Sequence, residues 1–337
     1  MRKALLYICM FTISLALMLI GAEILLRLTG IAEPWTTLAE NEPAMFKPDP
    51  VLGWRTVPGK FKLAPSSPQD HETHYTFLDD GSRATSDNKE ISPYDLIFVG
   101  GSFTEGFAVS DEDTFAWKLQ SQFPSVKIGN FGVGGYGTYQ SLLLLRDLYK
   151  RNVKPAIVVY GFLPFHEERN IANSGWRRVL TEFSRRGHSL LPFCSLGQNG
   201  ELVEHKPVGY PVLPLHEYLA LDDFAIKFYF RFIDKDESKR RKDGFEITKK
   251  LMVAMDDLVR KNGSSFFVAV LGQPHQYESY LEKSGIGTIN CSIELDNDHI
   301  VRGEGHPNGK AHSAWAQKIA AFLQAQPVFR EISAQSK

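Results

Sequence analysis

Residues 96–99, Leu-Ile-Phe-Val, make an uncharged, partly β-branched run with Asp95 before it and Gly100 and Gly101 after it. A run this short and apolar, closed by glycines, reads as a strand buried on both faces of a parallel sheet. The chain must then turn sharply, and the two glycines permit backbone angles that a Cβ would resist. Ser102 therefore stands just past the carboxyl end of a central strand, where open α/β sheets place their chemistry. A helix is expected to follow, capped by Asp111 or Asp113, with Phe115, Trp117, Leu119 and Phe123 as its apolar mass. Strand, glycine turn, serine and helix together present a nucleophile. The bland alternative is a βα turn whose serine caps a helix, since short Gly/Ser motifs are weak signals.

The alternation recurs along the chain. Residues 126–130 read as the next strand, and a loop with Gly132, Gly134, Gly135 and Gly137 leads into a helix over 139–149. Residues 156–160 form a third strand, 245–261 an amphipathic helix, and 265–271 a further strand. A last helix runs through Trp315, Ile319, Ala320 and Leu323. Strands alternating with helices imply an α/β fold with a central parallel sheet. Between about 175 and 243 the alternation breaks, which reads as an insertion over the carboxyl edge of the sheet. Its Trp176, Tyr210, Tyr218 and Tyr229 suit stacking on sugar rings, or are simply core. Upstream, short strands around Gly53–Arg55, 60–63 and 74–78 make a small β-rich prelude, with Arg83 read as a surface residue.

The N-terminus adds a separate element. Residues 4–22 carry no charge and the apolar pattern continues through Leu26, about the length that spans a bilayer. Arg2 and Lys3 precede the run, which keeps that end cytoplasmic and sends the remainder across. No small-x-small site stands before Glu23 and no lipobox cysteine follows, so an uncleaved signal anchor is favoured over a signal peptide. The expected division is a transmembrane anchor over 1–30, a proline-rich stalk and β-rich prelude over 31–90, and a catalytic-type domain over 91–330. That arrangement implies a single-pass inner-membrane protein with its domain in the periplasm or outside.

Composition excludes some partners. A formal net charge of -1 leaves no footprint for nucleic acid, and the one basic run, Lys239 to Lys242, reads as a solvated loop or helix end. Cys9 lies in the anchor, while Cys194 and Cys291 would meet an oxidising compartment, where a bridge between them stays open. No ligand set is spaced for zinc and nothing asks for a cofactor. The second glycine stretch fits no phosphate-binding pattern, and Thr104 replaces the last glycine of the G-x-S-x-G elbow, which argues against the α/β-hydrolase fold.

Gly100, Gly101, Ser102, Thr104 and Gly106 match G-[D/G]-S-x-T-x-G and resemble the first block of the SGNH (GDSL-like) hydrolase superfamily. The resemblance covers roughly residues 94–323 outside the insertion and implies a three-layer, flavodoxin-like fold. Asn130 and Gly135 resemble its second block, which implies that the Ser102 and Gly135 N–H groups form an oxyanion hole. The third block is degenerate: Leu163 and Pro164 stand where Asn and Asp belong. His166, with Arg169 or Asn170 as further polar wall residues, is the candidate replacement donor or substrate contact. His306-Pro307 resembles the last block, but Gly303 occupies the acid's usual place. Glu304 is the chosen triad acid and Asp298 the reserve, with His312 read as a helix-surface residue. The resemblance implies a serine esterase, O-acyl transferase or deacetylase acting on extracytoplasmic acylated small molecules or glycans. The alternatives are an inactive glycan-binding or envelope-assembly protein, or a lipase or thioesterase of the same fold.

Overall fold

The computed structural model describes residues 2–35, 45–65, 71–87, 93–182, 190–272 and 277–335. The chain begins with α1 (Arg2–Thr29), whose side chains are almost all exposed and which is long and apolar enough to cross a membrane. Two antiparallel hairpins follow, β1 (Phe46–Asp49) with β2 (Gly53–Thr56) and β3 (Gly59–Leu63) with β4 (Thr73–Phe77). The main unit opens with β5 (Leu96–Gly100), the short turn α2 (Ser102–Glu105) and α3 (Phe115–Gln122). Next come β6 (Ile128–Gly132), α4 (Thr138–Lys150), β7 (Ile157–Phe162), α5 (His166–Asn170) and α6 (Ser174–Glu182). A hairpin of β8 (Leu191–Leu196) and β9 (Leu202–Val208) precedes α7 (Ala220–Phe228) and α8 (Lys235–Lys261). The chain closes with β10 (Ser265–Val270), α9 (Tyr277–Lys283), β11 (Gly287–Asn290), α10 (Gly309–Ala325) and α11 (Pro327–Gln335).

Five parallel strands form the central sheet in the order β11-β10-β7-β5-β6. Every residue of β5, β6 and β7 is buried, because helices cover both faces. Successive side chains of β5 part to opposite sides. Ile97 and Val99 join Leu142, Leu145, Ile247 and Leu251 of α4 and α8, while Leu96 and Phe98 join Phe115, Leu119, Trp315 and Ile319 of α3 and α10. The result is the three-layer, flavodoxin-like arrangement. The chain winds from β5 out to β6 and then reverses to β7, so the switch point lies between β5 and β7, where such sheets take ligands.

Several local expectations are corrected. Thr114, not Asp111 or Asp113, caps α3, its hydroxyl accepting the Trp117 N–H, and Asp111–Asp113 form a 3₁₀ turn instead. The basic run Lys239 to Lys242 lies inside α8, which starts ten residues before the expected 245 because Asp234 caps it and Glu237 pairs with Arg177 and Arg241. The expected stalk is not free at its ends: Trp35 and Met45 are buried and β1 pairs with β2, while residues 36–44 lie outside the described residues. Cys194 and Cys291 are both free and buried, and they sit in the core layers on opposite faces of the sheet, which rules out a bridge.

The ends of β5 and β7 meet through glycines. Gly100 stands opposite Gly161, and a Cβ on either would overlap the Thr104 hydroxyl, which occupies the space between them. Gly161→Ala should therefore destabilise the fold by about 1–3 kcal/mol, the usual cost of overpacking. Denaturant melts of Gly161→Ala, Thr104→Ala and the double variant check this. The double variant should lose clearly less than the sum of the single losses, because removing Thr104 Oγ1 makes room for the new methyl.

Candidate active site

Ser102 follows β5 at the switch point, and its hydroxyl lies 2.9 Å from His306 Nε2. His306 Nδ1 lies 2.6 Å from Glu304 Oε1, and the His306 N–H donates to Glu304 Oε2 at 2.8 Å. Glu304 is only two residues from the histidine, and it reaches back because Gly303 and Gly305 adopt positive φ of 80° and 85° around it. The loop is pinned on both sides. Val301 N–H donates to the His306 carbonyl, Asn308 Nδ2 donates to Asp298 O, and Asn308 Oδ1 caps α10 by accepting from Lys310 N. Asp298 is exposed, and His306 pairs with Glu304 rather than with it. The rings of Phe103 and Phe107 flank His306 at centroid distances of 5.6 and 4.9 Å.

Two further segments, the Gly135 loop and α5, converge beside the serine. A Cβ on Gly101 would stand 2.9 Å from Tyr136 O, 3.0 Å from Arg169 Nη1 and 3.1 Å from His166 Nε2, so only glycine fits between them and Ser102. Gly135 has a φ of 83° and packs against Trp54 and Trp176, and its N–H meets no acceptor among the described residues. Arg169 is buried, donates to Tyr136 O at 2.8 Å, and lies over the rings of Phe165 and Trp176. It thus fastens the Gly135 loop to α5. Asn170 Nδ2 donates to Thr138 and Thr248, and its Oδ1 accepts the Tyr139 N–H, which joins α4, α5 and α8.

His166 is fully buried, with Nδ1 2.7 Å from the Tyr160 hydroxyl and Nε2 without a partner among the described residues. Burial and the nearby Arg169 charge hold it well below the usual histidine range, so the ring is neutral. It lies behind Gly101 instead of opening to solvent.

The turn after Ser102 is held by residues whose roles no local pattern revealed. Arg83, expected at the surface, is buried. It pairs with Asp111 at 2.8 Å and donates to the carbonyls of His74, Glu105, Gly106 and Val109. Asn130 Nδ2 donates to the carbonyls of Thr104 and Glu105. His312, also expected at the surface, is buried, and its Nδ1 accepts the Phe115 N–H. The aromatic set of the insertion is not brought together. Trp176 lies by Gly135, Tyr210 packs on Trp35, and Tyr218 and Tyr229 are exposed around α7. The only sequence signal for Arg83 was its place after a tight turn, since its partners come from His74 of β4 and from residues 105–111.

Chemically, a serine hydroxyl beside an imidazole that a carboxylate orients can lose its proton to Nε2 while attacking a carbonyl. No family model and no curated protein matches the chain. Solved structures similar to it include a lipolytic protein of the G-D-S-L family from Veillonella parvula, at 12% identity over 68% of this chain and 98% of that one, TM-score 0.39. Others are a GDSL-like lipase from Bacteroides thetaiotaomicron (13%, 68% and 87%, TM-score 0.36) and a G-D-S-L family lipolytic protein from Desulfitobacterium hafniense (12%, 67% and 97%, TM-score 0.35).

Glu105 ends α2 beneath the glycine loop, fully buried, with its Oε2 3.0 Å from where a Cβ on Gly134 would stand. Burial pushes its carboxyl up to about 8, against the pull of the Arg83 charge and the Gly134 N–H. Between its ordinary value of 4.5 and about 8, the folded chain holds a proton that the unfolded chain has lost. Stability from this group is therefore present at low pH and declines as pH rises through that window. Glu105→Gln should flatten the decline. Denaturant melts of both chains at about pH 5 and pH 8.5 measure it, and equal slopes would refute the assignment.

Proposed function

We propose that the chain is a serine-dependent esterase or O-acyl transferase of the SGNH type. The observation that carries this reading is the Ser102–His306–Glu304 hydrogen-bonded series, assembled from segments 204 residues apart at the switch point of the sheet. In the mechanism it supports, His306 Nε2 takes the Ser102 proton as Oγ attacks the substrate carbonyl. Glu304 steadies the imidazolium. The N–H groups of Ser102 and Gly135 receive the developing oxyanion, where fixed donors act most strongly. The tetrahedral intermediate collapses, His306 returns the proton to the leaving alcohol, and water or another acceptor then takes the acyl group from Ser102. His166 and Arg169, packed against Gly101, act as positioning residues that fix the wall of this hole.

The substrate class we propose is an acylated glycan or related envelope molecule outside the cytoplasm. Support comes from α1, whose first two residues are Arg2 and Lys3, which fits an inner-membrane anchor with the remaining chain in the periplasm. Protease added to spheroplasts should then remove the domain beyond α1; protection of that domain would reverse the orientation.

Ser102→Ala should abolish hydrolysis of a short acyl ester and labelling by a fluorophosphonate. Labelling that persists undiminished in this variant would remove Ser102 from the mechanism. Glu304→Gln should lower kcat by up to about 10⁴, as loss of a triad carboxylate does when the wrong tautomer results. Asp298→Asn should stay near wild type, with circular dichroism confirming that both variants fold.

A further inference from the structure

We infer that α7 and the π-helical turn after it (Tyr229–Ile233) are a membrane seat, lying in the surface of the same bilayer that α1 crosses. The inference rests on the reading of α1 as a membrane span. The start of α7 is bonded directly to the far end of α1.

The segment presents apolar side chains to solvent that a folded domain ordinarily covers. Phe224, Phe228 and Phe232 recur every four residues, and their rings follow one another at centroid distances of 6.3 and 4.9 Å. Phe232 is 62% exposed and Tyr218 is 68% exposed, and Leu215, Tyr229 and Ile233 are also open. The opposite side faces the domain: Ala220, Asp223, Ile226 and Phe230 are buried. An apolar face of this size marks an interaction surface.

What covers it follows from its attachment to α1. The Glu23 carboxylate accepts the N–H groups of Ala220 and Leu221, both at 2.9 Å, at the start of α7. Arg27 donates to Tyr218 O, and Leu26 and Ala32 pack on Ala220 and Leu221. Lys227 donates to Ile31 O and pairs with Asp223, which also accepts the Glu33 N–H. The start of α7 is thereby fixed at the level of Glu23. From Arg2 and Lys3 to Glu23 is roughly twenty residues, or about 30 Å of helix at ~1.5 Å per residue. That length matches a hydrocarbon core of about 30 Å, so Glu23 and the α7 end bonded to it stand at the far interface. Aromatic and aliphatic side chains at that level enter the headgroup and upper acyl region, as amphipathic surface helices do. Exposed Arg231 on the same segment suits a lipid phosphate. The domain is therefore seated on the membrane at one height, not hung from a loose tether.

The test uses the full chain with Cys9→Ser, leaving the buried Cys194 and Cys291 in place. Nitroxide labels go singly on Phe228→Cys, Phe232→Cys, Leu17→Cys in α1, and Asn199→Cys in the exposed β8–β9 turn. Each is placed in nanodiscs of phosphatidylethanolamine and phosphatidylglycerol at one copy per disc, with folding checked by circular dichroism. Collision with a water-soluble nickel chelate should fall several-fold at positions 228 and 232 relative to 199, while collision with oxygen rises. If 17 lies in lipid but 228 and 232 are as open to the chelate as 199, the seat is overturned and the anchor stands. If 17 is open as well, both readings fall. Shielding of 228 and 232 only in discs that hold two copies would make the face a contact between chains and would also overturn the seat.

Discussion

Thr104 fills the gap that Gly100 and Gly161 leave between two parallel strands, and the candidate site depends on that contact. Because neither glycine carries a Cβ, β5 and β7 can end side by side with a threonine locked between them. The serine two residues before Thr104 is then held at the topological switch point. The β6 loop comes equally close: a Cβ on Gly132 would overlap the backbone of Glu105. Three backbone segments therefore crowd one turn, and glycine is the only residue that lets them do so.

Around this packing stands a set of buried polar side chains. Arg83 brings its guanidinium to Asp111 and four carbonyls of the turn and its neighbours, and stacks on Tyr75. Asn130 and Arg169 tie the turn and the Gly135 loop in the same way. The two guanidiniums are costly to bury, since an unpaired buried charge is destabilising by several kcal/mol when its partner is lost. That cost is offset because nearly every donor finds a carbonyl or a π face, and the geometry of the turn becomes hard to deform. Rigidity of this kind is what oxyanion donors require, because they act without rearranging during the reaction.

At the opposite end of the chain a similar logic joins α1 to the domain. Glu23 and Arg27 are the charges beyond the basic start of an otherwise apolar helix, and they bind the first residues of α7 and the turn before it. The insertion thereby serves two purposes. Its α6 brings Trp176 to the Gly135 loop, and its α7 bears the exposed aromatic face.

Much of this was open to reading in the linear chain. Apolar runs bounded by glycines marked the strands of the sheet, since burial on both faces leaves no alternation to confuse them with helices. The series Gly100 to Gly106, the Asn130 and Gly135 pair, and His306-Pro307 marked the turns at the carboxyl edge, because each needs a particular residue type at a particular backbone position. Local sequence could not tell where Arg83, His166 and His312 lie. A charged or polar residue is buried only when distant segments supply partners, and those partners are visible only after folding. The start of α8 was hidden for the same reason: eight of its first ten residues are charged, and their helix is stabilised by the ion pair of Glu237 with Arg177 of α6. Likewise, local sequence favoured Glu304 over Asp298 as the carboxylate, but only the two positive-φ glycines that curl Glu304 back to the imidazole decided between them. Short-range sterics and hydrophobicity act on neighbours in sequence and so can be read there. Which buried charge meets which carbonyl depends on the three-dimensional path of the chain, and tertiary structure alone decided it.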